Sequence, residues 1–162
     1  MHIEITKQKP EQREDYYQLL LEQVRSLLED ETNLIANLAN AAALLYHSLE
    51  EINWAGFYLY EQGELIVGPF QGKPACVHIA LGKGVCGTAA QQQQTVRVAN
   101  VHQFAGHIAC DSASNAEIVI PLLKDGQLLG VLDIDSPREN RFDALDQKYL
   151  EAFAQIAIKA SW

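Results

Sequence analysis

The apolar period of this chain changes twice, and that change limits the folds open to it. Up to Glu51 apolar residues recur at helical spacing. Tyr17, Leu20, Leu21, Val24 and Leu28 make one stripe, and Leu34, Leu38, Ala41, Leu45 and Leu49 a second. Pro10 suits the first turn of the first helix, and Thr32 stands where the second needs an N-cap. From Asn53 the period drops to about 2. The aromatic run 53–60 and the stretches 64–70, 76–80, 95–98, 117–123 and 128–135 read as strands. Gln62-Gly63 and Lys124-Asp125-Gly126-Gln127 supply turns, the second a clear hairpin signal. Helical spacing returns behind Asp143, a good N-cap, at Leu145, Tyr149, Phe153, Ile156 and Ala160. The pattern predicts an α+β fold. One domain over 1–162 has N-terminal helices at about 10–50, a mostly antiparallel sheet at about 52–136 and a C-terminal helix at about 143–160.

Charge narrows the partners. Twelve Lys and Arg against twenty-one Asp and Glu leave a net charge of -9, a field that repels phosphate backbones and anionic lipid. No apolar run approaches the roughly 20 residues of a membrane span. The N-terminus is mixed and polar, without a signal-peptide core, so the cytoplasm is the expected compartment. Three cysteines with no CxxC pair do not make a secreted disulfide framework, and thiols are the default state.

Several constellations could carry chemistry. Gly82-Lys83-Gly84-Val85-Cys86-Gly87 matches the dinucleotide fingerprint G-x-G-x-x-G, but no carboxylate stands at 101–107, about 20 residues on, and hairpins replace βαβ units. The glycines read instead as a tight turn whose free amides could seat a small carboxylate at a helix N-terminus. Cys76, Cys86 and Cys110 lie close in sequence: Cys76 at the start of a strand, Cys86 near a helix N-terminus expected to lower its pKa, and Cys110 in a polar segment. Spacing alone does not say which is the nucleophile. In Leu129-Gly130-Val131-Leu132-Asp133-Ile134-Asp135 the strand period puts Asp133 and Asp135 on one face, with Glu117 opening the paired strand. Such a cluster raises one carboxyl pKa and keeps a proton for donation; the alternative is solvated aspartates near a turn. Trp54, Gly56, Tyr58 and Tyr60 share a strand face, either core or a wall for a small apolar group, with Gly56 leaving a gap. Zinc coordination by Cys76, His78, Cys86, His102, His107 and Cys110 lacks the short C-x₂₋₄-C knuckle, so no metal is assigned. The polar stretch 99–115 has no periodicity and is long for an incidental loop.

These pieces, in this order, resemble the free methionine-(R)-sulfoxide reductases, a catalytic branch of the GAF-domain superfamily. The resemblance rests on Asn53-Trp54-Ala55-Gly56-Phe57-Tyr58, on 67–76 ending in Pro74-Ala75-Cys76, and on Gly82-Lys83-Gly84-Val85-Cys86-Gly87. His107-Ile108-Ala109-Cys110-Asp111, Ser114-Asn115-Ala116-Glu117-Ile118-Val119 and Leu132-Asp133-Ile134-Asp135-Ser136 complete it. It implies a GAF-like fold and reduction of free L-methionine-(R)-sulfoxide, with Cys110 as nucleophile, Cys76 as resolving partner and Cys86 as a third redox-capable cysteine. Trp54 and Tyr58 would wall the substrate methyl group, and Glu117, Asp133 and Asp135 would orient the sulfoxide and amino groups. No bound cofactor is implied; thioredoxin, fed by NADPH through its reductase, would be the reductant, and a homodimer the assembly. Whether Cys76 or Cys86 resolves, and which carboxylate holds the proton, stay open. The rival reading is a GAF sensory module that binds a small ligand without chemistry.

Overall fold

The computed structural model describes residues 3–5, 12–107 and 113–162. Its elements in chain order are α1 (Arg13–Leu28), α2 (Leu34–Ser48), β1 (Trp54–Glu61), β2 (Glu64–Gly72), β3 (His78–Ala80), α3 (Gly84–Gln92), β4 (Val96–Val98), β5 (Ala116–Lys124), β6 (Gln127–Ser136) and α4 (Ala144–Ser161). The six strands form one antiparallel sheet in the order β3-β2-β1-β6-β5-β4, helix-flanked at both chain ends as the α+β pattern predicts. Both hairpins turn on residues with positive φ, Gln62-Gly63 and Asp125-Gly126, a left-handed conformation that lets a two-residue turn match the right-handed twist of its strands.

Strand alternation gives the sheet two different faces. On one, Ala55 and Phe57 of β1, Ile118 and Leu122 of β5, and Leu132 and Ile134 of β6 pack against α1, α2 and α4 in one aliphatic core. On the other, Trp54, Tyr58, Val119 and Val131 pack against α3. The five stripe residues read for α1 are all buried.

Three local expectations need correction. Asn33, not Thr32, caps α2: its extended backbone lets Oδ1 accept from the Ala36 amide at 2.9 Å. The buried face of α4 is rotated from the one read, because the helix packs on both α1 and β5. Leu150, Ala154, Ala157 and Ile158 join Tyr149 and Phe153 inside, while Leu145, Ile156 and Ala160 stay half-buried. The gap beside Gly56 is filled by Phe70 of β2, whose Cβ lies 2.2 Å from where a Gly56 Cβ would stand. Asp143 does cap α4, in a capping box with Asp146. Pro10 lies outside the described residues.

Candidate active site

Sheet register brings the acidic residues together. Glu117 of β5 stands opposite Asp135 of β6, which stands opposite Trp54 of β1; one step along, Val119, Asp133 and Gly56 make the next row. All the side chains of the first row, and Asp133 of the second, lie on the α3 face. The acids read from sequence as sharing one face do so, and Glu117 and Asp133 are 7% and 5% exposed. Asp133 is therefore not a solvated turn aspartate, and Asp135 is half-buried.

The helix that covers them starts at the glycine-rich turn. Gly84 has a φ of 61°, and a Cβ on Gly87 would meet the Ala80 carbonyl oxygen at 2.4 Å. These glycines therefore let α3 begin tightly and press against the end of β3, the tight-turn role read for them. The approach sets Cys86 on the carboxylates. Its Sγ is 3.8 Å from Glu117 Oε1, and ligand atoms of Cys86, Glu117 and Asp133 all lie within 4.8 Å of one another.

Burial and mutual repulsion set the protonation of this trio. Burial, followed by the Asp133 and Asp135 charges, raises the Glu117 carboxyl well above its ordinary value. Burial also raises Asp133, to about 6, although hydrogen bonds with Glu117 and Cys86 work in the opposite direction. A proton held by Glu117 and shared toward Asp133 accounts for both directions. The Cys86 thiol is pushed up, by burial first and then by Asp133 and Glu117. That overturns the expectation of a thiol activated by the helix N-terminus, because desolvation and neighbouring anions outweigh a half-charge dipole. Cys86 is a free, buried thiol, whereas Cys76 is disulfide-bonded. Cys110 lies outside the described residues.

An aromatic wall closes the other side. The Trp54 ring stacks on Phe70 at 5.0 Å and on Tyr58 at 5.8 Å. Tyr60, read on the same face, is 37% exposed and leaves the wall at Tyr58. One cavity is lined by Trp54, Tyr58, Cys86, Glu117, Asp133 and Asp135 together. Lys73, Lys83, His107 and Ser114 also line it. All four stand inside the motifs that carry the family resemblance, but of these only His107 is given an individual role from sequence, as a candidate metal ligand. Its Nε2 is buried without a hydrogen-bond partner among the described residues, and burial, then the nearby His102, lowers its pKa. His78, another ligand of the zinc set, is exposed and pairs with Glu64 on the sheet edge. Lys73 and Lys83 fall within the 67–76 and 82–87 motifs, but nothing local assigns them a role, since loops and caps carry lysines for solubility.

A sheet with helices on one face and an acid-and-aromatic cavity under a short helix on the other defines an α+β domain with a candidate small-molecule site. The chain belongs to the GAF-domain family, whose profile matches residues 12–160. It is 57% identical to Protein YtsP of Bacillus subtilis, over 98% of this chain and 97% of that one. It is 53% identical to the free methionine-R-sulfoxide reductase of Escherichia coli, over 84% of this chain and 82% of that one. The crystal structure of free methionine-R-sulfoxide reductase from Neisseria meningitidis in complex with its substrate superposes with a TM-score of 0.91. Identity there is 41%, over 98% of this chain and 94% of the other. The family resemblance read from the motifs agrees with these relatives. Among the described residues no helix is long and apolar enough to cross a membrane.

Proposed function

We propose that this protein reduces free L-methionine-(R)-sulfoxide to methionine by thiol chemistry. The observation that carries the reading is the buried Glu117–Asp133 pair, both carboxyls raised by burial, at a cavity walled by Trp54 and Tyr58. The names of the relatives at 53% and 41% identity support it. So does the contrast of a disulfide-bonded Cys76 with a free Cys86, which favours Cys76 over Cys86 as the resolving residue.

In this reading the Cys110 thiolate attacks the sulfoxide sulfur while Glu117 delivers a proton to the departing oxygen. The sulfur–sulfur bond so formed and the S–O bond then break as the protonated oxygen passes to the Cys110 sulfur, which releases methionine and leaves Cys110 as a sulfenic acid. The Cys76 thiol then displaces that oxygen as water and closes a disulfide with Cys110. One sulfoxide and two thiols have become one thioether, one disulfide and one water. Thioredoxin, kept reduced by NADPH through its reductase, returns the thiols by exchange. Cys86 takes no electrons: as a neutral thiol it donates to Glu117, a contact that by itself lowers that carboxyl and is outweighed by burial and the neighbouring acids. Asp133 and Asp135 meet the substrate ammonium, and amides at the α3 N-terminus meet its carboxylate. A peptide-bound residue lacks both charges and brings a flanking chain, which is why the free amino acid is the substrate. The enzyme works in the cytoplasm, as a homodimer.

The test mixes purified protein with free L-methionine-(R)-sulfoxide, thioredoxin, thioredoxin reductase and NADPH. NADPH consumption is expected with wild type and absent with Cys110→Ser, whereas Cys76→Ser releases about one methionine per chain and stops. Full turnover by Cys110→Ser overturns the nucleophile. Tight binding of the sulfoxide without any methionine formed would make the domain a sensor instead.

A further inference from the structure

Trp54 and Tyr58 have polar ends as well as ring faces, and one short segment takes up both. The Trp54 indole N–H donates to the Lys73 carbonyl at 3.1 Å, and the Tyr58 hydroxyl donates to the Cys76 carbonyl at 3.0 Å. This segment lies between two ladders. Pairing of β2 with β1 ends at Gly72, and pairing of β3 with β2 begins at His78. Pro74, inside it, has no N–H to offer. Both donors sit on β1, the strand flanked by β2 and β6, and their rings are 5% and 3% exposed. Cys76 itself is the disulfide-bonded cysteine.

We infer that Tyr58, assisted by Trp54, is a positioning residue for Cys76. The side chains assigned to the methyl wall also fasten the backbone of the sulfur that closes the disulfide, so the substrate wall and the redox segment are one body. The inference rests on the proposed reductase reading for its place in catalysis, but its redox consequence stands without it. The disulfide already restrains the segment, so a hydrogen bond to the Cys76 carbonyl has less chain entropy to overcome in the oxidised form than in the dithiol. By linkage the Tyr58 hydroxyl therefore favours the disulfide over two thiols. Removing it shifts the exchange, in which a dithiol is oxidised as the Cys76 disulfide becomes two thiols, toward the reduced protein.

The experiment equilibrates oxidised full-length protein with graded dithiothreitol, without any sulfoxide, and counts thiols by alkylation and mass spectrometry. Tyr58→Phe, which keeps the ring, is expected to shift the equilibrium constant toward thiols by about fivefold, the size of one modest hydrogen bond. Trp54→Phe is expected to shift it in the same direction by less, and serves if Tyr58→Phe does not fold. Tyr60→Phe, further along the strand and exposed, is the control and should match wild type. When sulfoxide is added, sulfenic acid trapped by dimedone should accumulate in Tyr58→Phe beyond the wild-type level. An equilibrium unchanged in both Tyr58→Phe and Trp54→Phe overturns the inference. A shifted equilibrium in a protein that forms no methionine would uphold the clamp while removing the reductase reading.

Discussion

The molecule buries acids in two places and treats them in opposite ways. On the helical side, Asp146 is fully buried and amply partnered. Arg13 of α1 reaches it at 2.9 Å, the Tyr17 hydroxyl donates at 2.6 Å, and Arg141 approaches at 3.4 Å. On the α3 side, Glu117 and Asp133 are almost as buried, yet among the described residues neither forms an ion pair, and Asp133 Oδ1 has no hydrogen-bond partner. The first acid is neutralised by cations and ties the first helix to the last. The second pair is left to share a proton. A fold under selection for stability alone has no reason to keep the second arrangement, because a buried charge without a cation is costly. The difference separates a structural acid from a chemical one.

The comparison breaks most visibly in activity. Glu117→Gln keeps the shape of the site and removes the transferable proton; methionine formation is expected to fall by about 10²–10⁴-fold in a coupled assay, with the melting temperature held or raised. Asp146→Asn should do the reverse. Removing the charge between Arg13 and Arg141 is expected to lower stability by about 3–5 kcal/mol in urea unfolding, with activity per folded molecule preserved. A variant of either kind that moved both properties equally would erase the distinction.

Titration sharpens it further. Asp133 is raised to about 6 from an ordinary 3.8, so between those values the native state holds more protons than the unfolded chain. Stability attributable to Asp133 is then full below its unfolded value and declines as pH rises through about 6; Glu117, raised further by burial, continues that decline. Asp143, held down by its hydrogen bond to Arg13, has the opposite sign. Its contribution is present above its unfolded value and lost as pH falls below it. Unfolding free energies measured across pH should show both limbs, and Glu117→Gln should flatten only the neutral one. The smallest effect belongs to Asn33→Ala, which removes the α2 cap and is expected to cost about 1 kcal/mol, without touching the site.

The sequence carried most of the frame because period and turn chemistry are local. The α1 stripe, both two-residue hairpins and the Asp143 cap follow from neighbouring residues alone. The shared face of Asp133 and Asp135 is equally local, since alternation along one strand decides it. What failed needed contacts between distant segments. Cys86 meets Glu117 across 31 residues of chain, and only the packing of α3 on the sheet turns a helix-start thiol into a buried, protonated one. The space beside Gly56 is occupied by a residue from the next strand, which no reading of β1 could reveal. His107 and the two lysines of the cavity had no periodic pattern to mark them.

The pH dependence of a single turnover examines the proton on Glu117 most directly. Reduced protein is mixed with free L-methionine-(R)-sulfoxide, and methionine formed in the first turnover is timed from mildly acidic to alkaline pH. The account predicts a wild-type rate that declines on the alkaline side as Glu117 loses its proton, and a Glu117→Gln rate that is low throughout and lacks that decline. A Glu117→Gln variant that releases methionine at the wild-type rate with the wild-type profile would contradict it.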